Sequence, residues 1–170
     1  TTRDAVDTFV KYHGKQIRLI DTAGLRRKTK VKDQIEYYSS LRSIRHLEQC
    51  DLALMMIDAK EGLTAKDLEI ISTIEHQRKG MILLINKWDI LPEKNEKSFD
   101  HFKKRLIEKH SLLQYFPILS ISAIQNQRLN KIYDLIIKVY NQYQKRYQTS
   151  FLNSVVKKMT THYPAPAYRG

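Results

Sequence analysis

The chain has 170 residues, a formal net charge of +12 and one cysteine. Its length suits one domain with a piece of a second, and its 42% apolar and 28% charged content reads as soluble and globular with room for one sizeable core. No run approaches the roughly 18 apolar residues of a membrane span, no secretory apolar segment opens the sequence, and the lone Cys50 excludes an internal disulfide and suits a buried thiol in a reducing compartment.

The first residue is Thr1 rather than Met, which fits a piece of a longer chain. Residues 5 to 12 alternate loosely (Val6, Phe9, Val10, Tyr12), His13-Gly14 can turn the chain, and residues 15 to 20 follow with Ile17, Leu19 and Ile20, so an antiparallel hairpin is expected. Residues 35 to 49 place Tyr38, Leu41 and Ile44 on one helical side. "DLALMMIDA" (51–59) and "MILLIN" (81–86) are short continuous apolar runs, the pattern of strands buried on both faces of a parallel sheet. "FPILSIS" (116–122) is a further candidate of that kind. Helical spacing recurs over 65–78 (Leu68, Ile71, Ile74) and over 98–110 (Phe99, Phe102, Leu106, Ile107). It recurs again over 129–147 (Ile132, Ile136, Val139, Tyr140, Tyr143, Tyr147). The tyrosines of that last helix are expected to pack into the core, because their period is helical.

Strands alternating with helices predict an α/β doubly wound, mostly parallel sheet over residues 1–148. Thr149 or Ser150 can cap a new helix, and Pro164 and Pro166 favour extended chain. Residues 149–170 therefore read as the start of a second, incomplete unit.

Charge is unevenly placed. Arg26, Arg27, Lys28, Lys30 and Lys32 give five cations in seven residues, and no acidic residue follows Asp134, whereas Lys138, Lys145, Arg146, Lys157, Lys158 and Arg169 are basic. Such asymmetry points to a polyanion partner, either nucleic acid or an anionic membrane. The plain alternative is a solvated basic face.

In an open α/β sheet, ligands bind outside the carboxyl ends of the strands, so the residues after each apolar run matter most. Asp21-Thr22-Ala23-Gly24 offers a hard carboxylate for a magnesium-bound water, and a glycine whose N–H can approach a phosphate. Asn86-Lys87-Trp88-Asp89 offers more. Ionised Asp89 is acceptor-only and matches the adjacent N1–H and amine of guanine, while adenine presents no such donor pair. Asn86 can tie neighbouring loops together, and the Lys87 stem can cover a base face. Trp88 is expected to pack against the next loop. Ser122-Ala123 is small enough to let a backbone N–H reach the guanine carbonyl. The six histidines have no metal-ligand spacing. Asp51 and Asp58 read as solvated or capping, and Glu93, Glu96 and Asp100 as loop and helix-start charges.

The order D-x-x-G, N-K-x-D, S-A resembles a translation-factor-type P-loop GTPase. Thr1-Thr2-Arg3-Asp4, "DTAGLRRK", "EYYSSLRS", "DLALMMIDAKEG", "LLINKWDIL" and "TSFLNSVV…YPAPAYRG" together resemble the Der/EngA family over nearly the whole chain. That family carries tandem GTPase domains followed by a KH-like domain and assists assembly of the large ribosomal subunit. The resemblance implies the second GTPase domain, with 149–170 entering the KH-like domain. It implies GTP or GDP and Mg2+ as ligands and ribosomal RNA as partner, in a cytoplasmic, bacterial-type, monomeric protein without a membrane partner. By the same resemblance, Asp21, Thr22, Ala23, Gly24 and Leu25 form the switch II motif, and Asn86, Lys87, Trp88 and Asp89 read guanine. Ser122 and Ala123 touch the base, and Thr2 and Asp21 serve magnesium, Asp21 through water. No catalytic residue is assigned. Arg26, Arg27, Lys28, Lys157 and Lys158 are candidate RNA contacts, Arg26 and Arg27 being alternatively arginine fingers.

Two departures matter. No G-x-x-x-x-G-K-S/T is present, so the phosphate loop and its preceding central strand are expected upstream of Thr1, and this stretch alone is expected to be unstable and inactive. Leu25 stands where many GTPases carry a water-orienting Gln; the family is thought to use a potassium ion near switch I. The competing readings are a nucleotide-independent RNA-binding module and a tRNA-modification GTPase with a similar T-T-R-D.

Overall fold

The computed structural model describes residues 7–20, 47–92, 95 and 97–162. The expectations for Thr2, Asp21 through Lys28, Glu93, Glu96, Pro164 and Pro166, and for all but the end of the 35–49 helix, lie outside these residues; 47–49 are helical.

β1 (Thr8–Tyr12) and β2 (Lys15–Leu19) pair antiparallel with Tyr12 opposite Lys15. His13 and Gly14 both have positive φ (46° and 73°), which gives the two-residue turn the twist that a hairpin needs. Beyond them, β3 (Leu52–Asp58), β4 (Gly80–Asn86) and β5 (Ile118–Ser120) form a parallel sheet in the order β3-β4-β5. Among the described residues the hairpin and the parallel sheet share no ladder. The helices are α1 (Ala65–His76), α2 (Ser98–Lys109), α3 (Leu129–Tyr143) and α4 (Thr149–His162), with 3₁₀ turns at Trp88–Ile90 and Ser111–Tyr115.

β4 is the buried centre, and its continuous apolar run serves two cores. Met81, Leu83 and Ile85 join Met55 and Ile57 of β3, Ile71 and Ile74 of α1, and Phe102 and Leu106 of α2. Ile82 and Leu84 point the other way, to Ile121, to Val139 of α3 and to the half-buried Leu119 and Ile132. α1 is started by a capping box: the Asp67 N–H donates to Thr64 Oγ1, and the Thr64 N–H donates to Asp67 Oδ2 at 3.0 Å. The hairpin tip rests on α3, where the Tyr12 hydroxyl donates to Asp134 at 2.7 Å and the Lys15 ammonium to Asn141 at 3.2 Å.

Four sequence expectations are corrected. β3 is not buried on both faces: Leu54 and Met56, on the α3 side, are exposed among the described residues. The 116–122 run yields only three strand residues. Pro117 has no N–H and contributes only its carbonyl to Leu83, and after Ser120 the chain turns off the ladder. α3 ends at Tyr143 rather than 147, and Tyr140, Tyr143 and Tyr147 are exposed, not core. Ile132, Ile136 and Val139 face the second core as the helical period requires, whereas the later tyrosines of the same stripe are part of neither core among the described residues. Thr149 and Ser150 both lie inside α4 rather than before it.

Candidate functional site

The register aligns Asp58 with Asn86 and Ile85 with Ser120, so the carboxyl ends of three parallel strands release their loops side by side. Asn86 joins two of them. Its Oδ1 accepts the Lys87 N–H at 2.8 Å and the Ala123 N–H at 3.1 Å, across 37 residues of sequence, and its amide nitrogen lies 3.5 Å from Met56 Sδ. The backbone repeats the tie: Ile121 N–H donates to the Ile85 carbonyl at 2.8 Å, and Trp88 N–H to the Ile121 carbonyl at 3.0 Å. The loop after β5 is closed on itself by Gln125 N–H donating to Ser122 Oγ and by the Ser122–Gln127 bridge, while the Arg128 guanidinium grips Ser120 at 2.5 Å. Two loops distant in sequence thus behave as one framework.

Lys87 sits at φ 59° and ψ 33°, a left-handed conformation that a side chain rarely adopts and that the surroundings must hold. Its N–H is fixed by Asn86, and its ammonium pairs with Asp58 Oδ2 at 2.6 Å. Asp58 is buried and also accepts the Lys60 N–H at 2.8 Å. The Lys87 hydrogen bond first, and the Lys60 N–H second, hold the Asp58 carboxyl below the ordinary carboxylate range. Asp58 is therefore neither solvated nor a simple cap. The sequence reading missed its ion pair, although one signal was there: two apolar runs that end together in a parallel sheet set their terminal polar residues, Asp58 and Asn86, side by side.

Trp88 is 5% exposed. Its indole meets Phe99 and Phe102 of α2 edge to face, with centroids 5.7 and 5.5 Å away. It packs against a helix and shares its core cluster with Leu91 of the following loop. It also anchors the single 3₁₀ turn that carries the half-buried Asp89. Of the backbone donors at the Ser122-Ala123 pair, the Ala123 N–H is donated to Asn86, so a base approaching it would have to share or exchange that bond. Lys157 and Lys158 lie far along the chain on the exposed helix α4. Among the described residues no cluster of three or more His, Cys, Asp or Glu side chains could hold a metal ion, and no helix is long and apolar enough to cross a membrane.

A carboxylate on a rigid turn beside a small-residue loop, both at the ends of parallel strands, is the arrangement of a guanine-nucleotide fold of the P-loop class. The family model described as "Elongation factor Tu GTP binding domain" matches residues 1–142. Among solved structures, Era, crystallised with MgGDPNP and nucleotides 1506–1542 of 16S ribosomal RNA, superimposes with a TM-score of 0.67 at 30% identity, over 82% of this chain and 45% of that one. GTPase Der of Gemmatimonas aurantiaca is 40% identical over 170 residues, covering 100% of this chain and 39% of that protein, and GTPase Der of Chloroflexus aggregans is 41% identical over 169 residues, 99% and 37% of the two. The chain belongs to the translation-factor-type GTP-binding domain family and, within it, to the Der/EngA group, spanning less than two fifths of the length of these relatives.

Proposed function

We propose that the chain is the second GTPase domain, residues 1–148, of a Der-type protein that binds and hydrolyses GTP in assembly of the large ribosomal subunit. Residues 149–170 would enter a KH-like RNA-binding domain. The observation that carries the reading is Asn86, which fastens the loop of Asp89 to the loop of Ala123 and so prebuilds a pocket edge for a purine base. Such preorganisation lowers the cost of binding.

In this reading Asp89 accepts from guanine N1–H and the adjacent amine, Asn86 keeps the two base loops in register, and the backbone around Ala123 meets the base carbonyl. The phosphates would be cradled by a loop preceding Thr1. Thr2 and Asp21 would hold magnesium, Asp21 through water, and a potassium ion would sit near switch I. Magnesium would neutralise charge developing on the phosphates during attack by water. No side chain here is assigned to orient that water. The protein would work in the bacterial cytoplasm as a monomer, with ribosomal RNA met through Arg26, Arg27, Lys28, Lys157 and Lys158. Era, whose crystal holds ribosomal RNA, supports this partner.

A protein extended upstream of Thr1 through the phosphate loop, titrated with fluorescent GDP, tests the reading. Tight binding that excess ATP does not displace is expected, with a large loss in the Asn86→Ala variant. Equal displacement by ATP and GTP would end the guanine reading, and no binding of GDP by the extended protein would favour a nucleotide-independent RNA module.

A further inference from the structure

The junction between α3 and α4 carries a surface that the nucleotide reading does not use. Residues 141–148 read Asn-Gln-Tyr-Gln-Lys-Arg-Tyr-Gln, with no acidic and no aliphatic side chain. Tyr143 is 46% exposed, Tyr147 51% and Phe151, in the first turn of α4, 52%. The Tyr147 and Phe151 rings stack across the junction with centroids 5.6 Å apart and planes 19° apart. At that separation the rings are offset, which leaves part of each face open. The Lys145 ammonium stands 4.9 Å from the Tyr147 centroid. From residue 135 to 162 there is no acid, while Lys138, Lys145, Arg146, Lys157 and Lys158 are basic.

We infer that this junction is a stacking platform for unpaired bases of single-stranded RNA. Aromatic faces accept any base, flanking cations neutralise the phosphates on either side, and the amides of Gln142, Gln144 and Gln148 suit base edges. A protein partner is argued against by what the stretch lacks. Phe151 heads the α4 face that it shares with Val155 and Met159 at i, i+4 and i+8, and the exposed aliphatic members of α4, Leu152, Val155, Val156 and Met159, have the character that another protein segment would cover. Residues 141–148 have none of it. The inference rests on the RNA-partner part of the proposed function and is independent of nucleotide binding.

The test is fluorescence anisotropy of the full-length protein with a labelled, unstructured 12-nucleotide RNA, beside its DNA counterpart and an RNA duplex of equal length. Tyr147→Ser and Phe151→Ser should each weaken single-strand binding roughly five- to hundred-fold, and Tyr147→Phe should retain it. Lys145→Gln with Arg146→Gln should lower the slope of log affinity against log salt by about 1.4, about 0.7 for each lost phosphate contact. Guanine-nucleotide affinity should not change in any of them, which shows the fold intact. Unaltered RNA binding in both serine variants overturns the platform and leaves the RNA-partner reading standing. No binding of any RNA by the unsubstituted protein overturns both. Tighter binding of DNA, or of duplex, overturns single-stranded RNA as the occupant. Resistance of a Tyr147→Trp side chain to acrylamide quenching in the free protein would show a protein surface covering the site, and overturns it as well.

Discussion

Two parts of the molecule carry polar chemistry on aromatic supports, and they are built in opposite ways. At the carboxyl ends of β4 and β5, Trp88 is buried against Phe99 and Phe102, and polar groups above it are pinned by short bonds from Asn86, Arg128 and the strand backbones. At the α3–α4 junction, Tyr143, Tyr147 and Phe151 are half exposed, the Tyr147 and Phe151 rings stack on each other, and the Lys145 ammonium stands beside Tyr147. The first arrangement spends its aromatics on rigidity, so that a carboxylate can discriminate between bases. The second leaves its aromatic faces open, which suits a ligand whose sequence does not matter. The same residue type is core in one place and surface in the other because of where the sheet lies beneath it.

The sharpest way to break this contrast is at Asp89. Asn in its place keeps one acceptor but presents an amide donor to the guanine amine. A site built around two donors should then reject guanine by roughly ten-thousand-fold. The same amide matches the N1–H and carbonyl of xanthine, so diphosphate affinity should pass from guanosine to xanthosine. Competition titration on the protein carrying the phosphate loop reads both. Guanine affinity unchanged by Asp89→Asn would remove the discriminating role from the strand-end site and leave only a packed loop.

The next largest effect is on stability. Trp88→Ala should cost about 3–5 kcal/mol, because the indole is fully packed and the α2 side of the core cannot close over the hole. Trp88→Phe should cost much less. Denaturant midpoints at unchanged slope would measure both. A loss under about 1 kcal/mol for Trp88→Ala would mean that the base loop does not depend on its aromatic anchor.

The sequence exposes most of the first region and misreads the second, for a physical reason. The alternation of apolar runs and helical periods made the parallel sheet and its loop positions readable, because β4 is buried on both sides and leaves no choice of face. The placement of Asn86, Asp89, Ser122 and Ala123 at strand ends was readable from where the apolar runs stop, which is where such a sheet binds ligands. Whether the Ala123 N–H is already bonded was not readable, since it depends on which rotamer Asn86 takes once two loops meet. The Asp58–Lys87 pair needs a register, which no single run contains. The tyrosine stripe misled because periodicity says which side of a helix a residue is on, not whether anything lies opposite it. Leu54 and Met56 teach the same lesson on the sheet.

A smaller effect tests how far the pinned region depends on charge. Asp58→Asn removes the ion pair that helps to hold Lys87 in its left-handed conformation. The Lys87 side chain remains half in water, so screening limits the loss to about 1 kcal/mol. The sign with pH follows from the depressed carboxyl. The stability that Asp58 contributes is fully present above the ordinary carboxylate value of about 3.9. It is lost as pH falls through the lower folded value. The difference in stability between the unsubstituted protein and Asp58→Asn should therefore be constant from neutral pH down to about pH 5 and shrink below pH 4. A difference that grows on acidification would contradict the pair.

The smallest stability effect belongs to the open region, and its smallness is the argument. If Tyr143 and Tyr147 touch only solvent, each other's neighbours and a lysine stem, then Tyr143→Gln and Tyr147→Gln remove no core. Each should shift stability by no more than about 0.5 kcal/mol. Helix propensity changes little, and the glutamines already present at 142, 144 and 148 show that the stretch accommodates that side chain. The comparison then rests on a pair of opposite outcomes: at Trp88, loss of an aromatic ring destabilises the fold, whereas at Tyr147 it leaves the fold intact and weakens RNA binding. A loss of more than about 2 kcal/mol in Tyr147→Gln, read in the full-length protein by thermal unfolding, would place that ring in a packed interface and make the two regions alike.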